Sequence, residues 1–384
     1  MIALTGPTGF LGKAIMQKAC LHSVPLVPLV RATDATTAGQ AESCAPRVIG
    51  VLGGGPIDPG VFAGCTAVIH AAARAHHMGE RGPESLAAYR RTNVAGTQSL
   101  IVAMHSAEVR RLVYVSSIKA VAERSAGVAL RPAAERRPED PYGQSKAEAE
   151  DAIRAACADG GIEAVIIRPP LVYGLRVKGN LVRLMEGVWA GKLLPLGAVK
   201  NRRSFVGVGN LAEAVLMAAM PMGGNSSVPG RPRHSDEREL VGPRGDQGIP
   251  TSWSLSVPAG NDELQLVDAN AGRRAGARWS QPGVYHIADD GVISTRKLVE
   301  VLAEGLGVKP RLISVPRWLA VGGATLLGKG AVARRLFDDL EVDDSDFRRD
   351  FHWKPRLGLE EGLRLMAEDF ARRMRDGSVP AVGG

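Results

Sequence analysis

Tyr142 and Lys146 stand four residues apart, so on a helix they share one face. A lysine ammonium beside a phenol favours the phenolate and draws its pKa towards neutrality. A phenol tuned in this way exchanges a proton with a hydroxyl or carbonyl oxygen while a hydride moves at the carbon that bears it. Ser117 follows the apolar run Leu112–Val115 with Ser116 between, and its hydroxyl can hold the same oxygen. Open parallel sheets bind ligands at the carboxyl ends of their strands, where such a serine would stand. Taken singly these residues are ordinary. Tyr and Lys at this spacing are common on solvated helices, and a tyrosine after Pro141 is also a turn residue. Their combination points to proton and hydride transfer.

A hydride donor or acceptor needs a seat, and the first residues supply the pattern for one. Thr5-Gly6-Pro7-Thr8-Gly9-Phe10-Leu11-Gly12 follows a strand-like run and opens a helical one. Gly6 permits a tight turn, Gly9 lets the backbone approach a pyrophosphate, and Gly12 lets helix and strand pack closely. The pyrophosphate then meets free N–H groups at a helix N-terminus. An acidic residue ending the second strand would accept from the ribose 2′-OH of NAD, whereas arginine accommodates the 2′-phosphate of NADP. Here the run VPLVPLV ends in Arg31, with no acid before Asp34. NADP(H) is the favoured cofactor, and NAD(H) stays open.

The elements that must position these groups alternate in kind. Strands are expected at Ile2–Leu4, Pro25–Val30, Ala67–His70, Leu112–Val115 and Ala164–Arg168. Helices are expected at Leu11–Ala19, Ala87–Ser106 and Tyr142–Ala156. Continuously apolar strands alternating with helices predict a doubly wound parallel α/β sheet of the Rossmann type over residues 1–168. Residues 169–373 read as a smaller C-terminal α/β substrate lobe from which the chain can cross back to the core. Its strand-like pieces are Val284–Ile287 and Arg311–Val315, and its helices Leu181–Ala190, Asn210–Met220 and Thr295–Gly305. The apolar run Trp318–Leu327 is too short to span a bilayer, which takes about 20 residues, and reads as a buried helix. Met222–Pro282, rich in Gly, Pro and Ser with seven Arg balanced by seven Asp/Glu, reads as a disordered insertion (222–282). The tail 374–384 reads as frayed.

Composition narrows the classes. Hydrophobic residues make up 45%, as in a soluble globular protein, but aromatics only 4%, so Ala, Val, Leu and Ile must build the core. The net charge of +8 is not gathered into a Lys/Arg block, and no zinc-finger or RNA-binding signature accompanies it. An anionic small-molecule substrate accounts for it without nucleic acid or stable membrane insertion. Cys20, Cys44, Cys65 and Cys157 lie far apart, which disfavours a metal site or disulfide framework and fits reduced thiols in the cytoplasm. No signal-peptide pattern is read at the N-terminus.

The glycine motif, His70-Ala71-Ala72-Ala73, Asn93-Val94-Ala95-Gly96-Thr97, Ser116-Ser117, Tyr142/Lys146 and Arg168-Pro169-Pro170 occur in the order found in extended short-chain dehydrogenase/reductases. The chain resembles that family over nearly its whole length. The runs Asp140–Lys146, Arg168–Gly174, Leu194-Pro-Leu-Gly197 and Asn201-Arg-Arg-Ser-Phe205 resemble a narrower group. That group comprises bacterial nucleotide-sugar C4 reductases and UDP-glucose 4-epimerase-like proteins of O-antigen synthesis. The resemblance implies a catalytic triad of Ser117, Tyr142 and Lys146. It implies a cofactor seat of Gly6, Thr8, Gly9, Phe10, Leu11, Gly12, Leu52, Ala71, Ala72, Ala73 and Pro169, with Asn93 supporting Lys146 through a water. It also implies that Asn180 and Arg203, with Arg335 as a further candidate, hold a substrate diphosphate. A homodimer through a four-helix bundle is the assembly such enzymes often adopt.

The chain departs from the family pattern in places. Val51 replaces the acidic residue expected before Leu52. Val206-Gly-Val-Gly-Asn210 stands for the usual Val-His-Val-Asp-Asp, and Leu175-Arg176 for a glycine-proline. The leading expectation is reduction at C4 of a UDP-4-keto-6-deoxy-N-acetylhexosamine. The alternatives are a UDP-hexose 4-epimerase and, in another class, a non-catalytic dinucleotide-binding regulatory protein. A dehydratase is disfavoured, because Ser117-Ile-Lys-Ala lacks the acid/base pair elimination requires.

Overall fold

Strands that are apolar on both faces must be covered on both faces. In a computed structural model β1 (Ile2–Thr5), β2 (Leu26–Val30) and β4 (Ala67–His70) are buried throughout, as is all of β5 (Arg111–Val115) and β6 (Glu163–Arg168) beyond the first residue. The structure describes residues 1–31, 45–75, 83–220, 282–326 and 330–377; the expected insertion 222–282 lies almost wholly outside them, as does the end of the tail.

With β3 (Arg47–Val48) and β9 (Gly283–His286) these strands form one parallel sheet in the order β3-β2-β1-β4-β5-β6-β9. The order reverses between β1 and β4, and a ligand crevice opens outside the strand ends at such a switch point. In register, Thr5 stands beside His70 and Val115 beside Ile167. The carboxyl ends that carry the glycine motif, Ala71–Ala73 and Ser116–Ser117 therefore lie along one edge.

Helices Gly96–Ser106 and Pro141–Ala158 bury Leu100, Met104, Ile153 and Cys157 against one face of the sheet. Helices Phe10–Leu21 and Val208–Ala219 pack on each other, the latter against β4 and β5. A second core joins helices Asn180–Trp189, Thr295–Leu306 and Leu359–Arg375 around Tyr173, Met185, Leu302, Leu363 and Phe370. The short parallel pair β7 (Leu171–Tyr173) and β8 (Phe205–Gly207) links this core to the main sheet's last strands.

Three expectations change. The strand-like piece near residue 284, read as part of the smaller lobe, is the seventh strand of the main sheet, paired with β6. Arg311–Val315 forms no strand: between Pro310 and Pro316 only Leu312 bridges, to Leu194. The helix read as buried runs over Arg317–Leu326 and is exposed, with Trp318 at 73% and Leu326 at 90%. Apolar composition marks a helix that seeks cover, but it does not say that this chain's own core provides the cover.

Candidate active site

Gly6 takes φ +71°, and a Cβ there would stand 2.8 Å from the Ala72 Cα. At Gly12 a Cβ would meet the Gly6 carbonyl oxygen at 1.9 Å. These positions admit only glycine, and together they bring β1, the following helix and the Ala71–Ala73 turn into contact. Thr5 secures the turn: its hydroxyl accepts from the Ala72 N–H at 3.1 Å and meets His70 Nδ1 at 2.7 Å. The helix begins after Gly9 with no side-chain cap, so its first N–H groups face outward. Thr8, Gly9 and Phe10 are exposed around them. This cradle has the shape and donor set that a dinucleotide pyrophosphate needs.

Arg31 is exposed at the end of β2, the strand beside β1. Leu52 packs on the turn at Gly96, where a Cβ would stand 2.8 Å from its own. That turn adjoins a π-helical stretch, Arg90–Ala95, of a kind often found at functional sites. Inside it Asn93 is buried; it accepts from the Arg74 N–H at 2.8 Å and donates to the Ser145 hydroxyl at 3.0 Å. Asn93 thus reaches the neighbour of Lys146.

The catalytic helix starts where its sequence directs. Asp140 caps it by accepting from the Gly143 N–H at 2.7 Å, and Pro141 fills the first helical position. Tyr142 and Lys146 then face the ends of β5 and β6. Ser117 lies near the Tyr142 phenol, since the Lys119 carbonyl next to it packs on Gly143, and the Tyr89 ring lies edge-on to the phenol at 6.0 Å. Pro169 orders the same edge by accepting from the Ile118 N–H at 3.0 Å.

The electrostatics differ from the expectation drawn from spacing. Burial pushes the Tyr142 phenol up to about 12, with Ser117 pulling against it and Asp140 and Tyr89 pushing further. Lys146 donates to the Val115 carbonyl at 2.8 Å and lies 4.6 Å over the Tyr114 ring. Burial brings its ammonium down to about 7, against the pull of Glu150. The lysine is therefore spent on the strand rather than on the phenol. The helical period places two side chains on one face, but cannot say which partner each one takes.

The residues expected to hold a diphosphate are only partly together. Arg203 Nη1 donates to the Arg335 carbonyl at 2.7 Å, so these two are neighbours. The Arg335 guanidinium binds Glu123 through Nε and Nη2 at 2.6 and 2.8 Å. Asn180 is exposed at the start of its helix and makes no hydrogen bond to either arginine among the described residues.

The sequence reading missed a polar chain that joins these parts. Lys119 binds Glu123 at 3.1 Å and also the Asp140 carboxylate, while its N–H donates to Ser117 Oγ at 3.2 Å. Arg335, Glu123, Lys119 and Asp140 thus run from the second core to the cap of the catalytic helix. Only the closeness of Lys119 to Ser117 in sequence hinted at it. Also missed was the buried pair Glu150–Arg168, bonded at 2.8 and 2.5 Å, with Ser116 donating to Glu150 at 2.6 Å. Asn210, one of the departures from the family pattern, joins Tyr173 and the Gly207 N–H in bonding the buried Asp289.

The model of the NAD dependent epimerase/dehydratase family matches residues 2–225. The chain belongs to this family. This family member is an enzyme. It is 29% identical over 371 residues to the UDP-glucose 4-epimerase of Vibrio cholerae, covering 96% of this chain and 95% of the relative. Its fold matches the crystal structure of the UDP-glucose 4-epimerase of Thermotoga maritima with UDP-glucose at a TM-score of 0.65 and 18% identity, covering 97% and 99% of the two chains. It also matches the UDP-glucuronic acid 4-epimerase of Bacillus cereus in complex with NAD at 0.63 and 16%, covering 97% and 98%.

Proposed function

We propose that this enzyme works in the cytoplasm at C4 of a nucleotide-sugar, reducing a UDP-4-keto-6-deoxy-N-acetylhexosamine with NADPH. The observation that supports the C4 chemistry is that the first turn of the helix Pro141–Ala158, with Tyr142, packs and bonds against Lys119 just past Ser117 and the carboxyl end of β5, on the same edge as the glycine cradle. The cofactor, when bound, supplies the hydride. Ser117 orients the C4 oxygen, and Tyr142 gives it a proton from a phenol that burial keeps protonated at neutral pH. Lys146 holds the end of β5 in place and, with Asn93 behind Ser145, fixes the catalytic helix against it. Arg203 and Arg335, which are neighbours, are the arginines that would grip a diphosphate. Arg31 supports NADPH over NADH through the 2′-phosphate.

A second reading is a UDP-hexose 4-epimerase, which would remove hydride from C4 and return it to the other face with NAD retained. The likeness to the Vibrio cholerae UDP-glucose 4-epimerase along almost the whole chain favours it. The test incubates the purified enzyme with the 4-keto sugar nucleotide and NADPH or NADH, and with UDP-glucose or UDP-N-acetylglucosamine and NAD, and follows cofactor absorbance, product mass and, for epimers of equal mass, their chromatographic separation. Stoichiometric NADPH consumption, with a product heavier by one hydride and one proton, is the expected result. Interconversion of the hexoses without cofactor consumption would replace the reductase reading by the epimerase. Turnover of none of these would overturn both.

A further inference from the structure

From Lys309 to Phe337 the chain carries Lys309, Arg311, Arg317, Lys329, Arg334 and Arg335 and not a single acid. Within this stretch the helix Arg317–Leu326, RWLAVGGATL, has no polar face. A helix that is apolar all round belongs in a core or a membrane. This one exposes Trp318 at 73%, Leu319 at 48% and Leu326 at 90%, and the adjoining Ile313 is 41% exposed. Large apolar side chains gathered on one exposed element mark an interaction surface.

We propose that the helix Arg317–Leu326, with the basic residues around it, is a docking surface for an anionic phospholipid bilayer. The charge selects this occupant. Arg317 and Arg335 are paired with Asp338 and Glu123, so Lys309, Arg311 and Arg334 carry the net charge of this surface; a second copy of the chain in a two-fold dimer would set these like charges against themselves. Anionic headgroups attract them, while the leucines and the tryptophan enter the boundary between headgroups and acyl chains. At 10 residues the helix is about 15 Å long, half of the hydrocarbon core, so it lies in the interface rather than crossing it. Among the described residues no helix is long and apolar enough to cross a membrane. The docking helix packs on the helix Gly330–Phe337, which carries Arg335 and, through Glu123, is tied to the catalytic end of the sheet. Docking there would hold the active site close to a membrane surface, whichever nucleotide-sugar reaction it performs.

The test is co-sedimentation of the full chain with phosphatidylcholine vesicles that contain or lack phosphatidylglycerol. Binding to the anionic vesicles, weakened by salt, is expected. The paired substitution Trp318→Glu and Leu319→Glu should lower the partition coefficient about tenfold or more at an unchanged thermal midpoint. Quenching of tryptophan emission by bromine-labelled acyl chains should occur in the parent and shrink in Trp318→Leu, a reading that does not depend on the glutamate variant folding. Absence of binding to anionic vesicles would overturn the proposal. So would binding that the glutamate pair leaves intact, quenching unchanged in Trp318→Leu, or a parent dimer that this pair dissociates, which would make a second copy the occupant.

Discussion

Arg335 clasps Glu123 with the Nε–Nη2 edge of its guanidinium, at 2.6 and 2.8 Å, across 212 residues of sequence. The arginine comes from the helix Gly330–Phe337; the glutamate lies six residues after Ser117 and is shared with Lys119. The family pattern in the sequence gives the same guanidinium to a substrate diphosphate. The two roles are compatible if the incoming phosphate competes with Glu123 for the arginine, since bidentate guanidinium pairs form with either anion.

Arg335→Ala is therefore expected to raise the KM for the nucleotide-sugar about tenfold or more, the range of a hydrogen bond to a charged group, with a smaller change in kcat. Glu123→Gln should move KM the other way by freeing the arginine. Steady-state kinetics on both variants, with thermal melts beside them, make the check. A lowered melting point with KM unchanged in Arg335→Ala would assign the clasp to structure alone.

In the proposed reading, cofactor choice rests on Arg31 at the end of β2. Arg31→Asp should shift the ratio of the NADPH and NADH dissociation constants towards NADH by about tenfold or more, because a carboxylate repels the 2′-phosphate and accepts from the 2′-OH. Fluorescence titration of both cofactors into parent and variant measures that ratio. An unchanged ratio would remove Arg31 from the site.

Beneath the catalytic helix, Arg168 and Glu150 are 1% and 0% exposed and satisfy each other, with the Pro132 carbonyl and Ser116 completing the set. Breaking such a pair leaves a buried charge alone. Arg168→Met should cost about 3–5 kcal/mol of stability. Replacing both residues, Arg168→Met with Glu150→Leu, should cost clearly less than the single change. Urea unfolding of the parent, Arg168→Met, Glu150→Leu and the double variant tests this, and a double variant as unstable as the sum of its singles would refute the account.

Much of the fold is legible in the sequence because it depends on local rules. The glycines after β1, the Asp140-Pro141 helix start and the apolar strands each follow from backbone sterics or capping within a few residues. The predicted strand Ala67–His70 has the bounds observed. What cannot be read there depends on distant pairings. Glu123 gives no sign in sequence that its partner is residue 335, and the run at Trp318 looks like any core helix until its surroundings are known. The period puts Lys146 on the face of Tyr142, yet its choice of the Val115 carbonyl is a matter of β5's position.

Acid should weaken the fold partly through His70. It is fully enclosed between Thr5 and Thr97, at 2.7 and 3.1 Å, and burial, then the nearby Lys146, lowers it from 6.5 to about 3. Between these values the unfolded chain binds a proton that the native imidazole refuses. Stability therefore falls as pH drops from about 6.5 towards 3, by at most about 1.4 kcal/mol per pH unit from this residue. His286, lowered to about 4, adds to the upper part of that window. Unfolding free energies measured across the range should show a shallower slope in His70→Gln than in the parent; equal slopes would exclude His70 as a source.

In the proposed mechanism the chemistry stands on Tyr142. Tyr142→Phe removes only the hydroxyl, so the ring keeps its edge contact with Tyr89 and the helix keeps its Asp140 cap. Fold and cofactor binding should survive. What is lost is the group that passes a proton to the substrate oxygen, a contribution of about 10²–10⁴-fold in rate, or roughly 3–5 kcal/mol of barrier. Lys146→Ala should cost activity by another route, because Nζ holds the Val115 carbonyl at the strand end that leads to Ser117. If the lysine acts through the position of the tyrosine and serine, removing both groups costs less than the product of the single losses. Single-turnover hydride transfer at saturating cofactor is the measurement, made on the parent, the two variants and their combination. A near-parental rate in Tyr142→Phe would leave a dinucleotide-binding fold whose proton donor lies elsewhere, while full multiplicativity in the double variant would make Lys146 an independent contributor rather than a support for Tyr142.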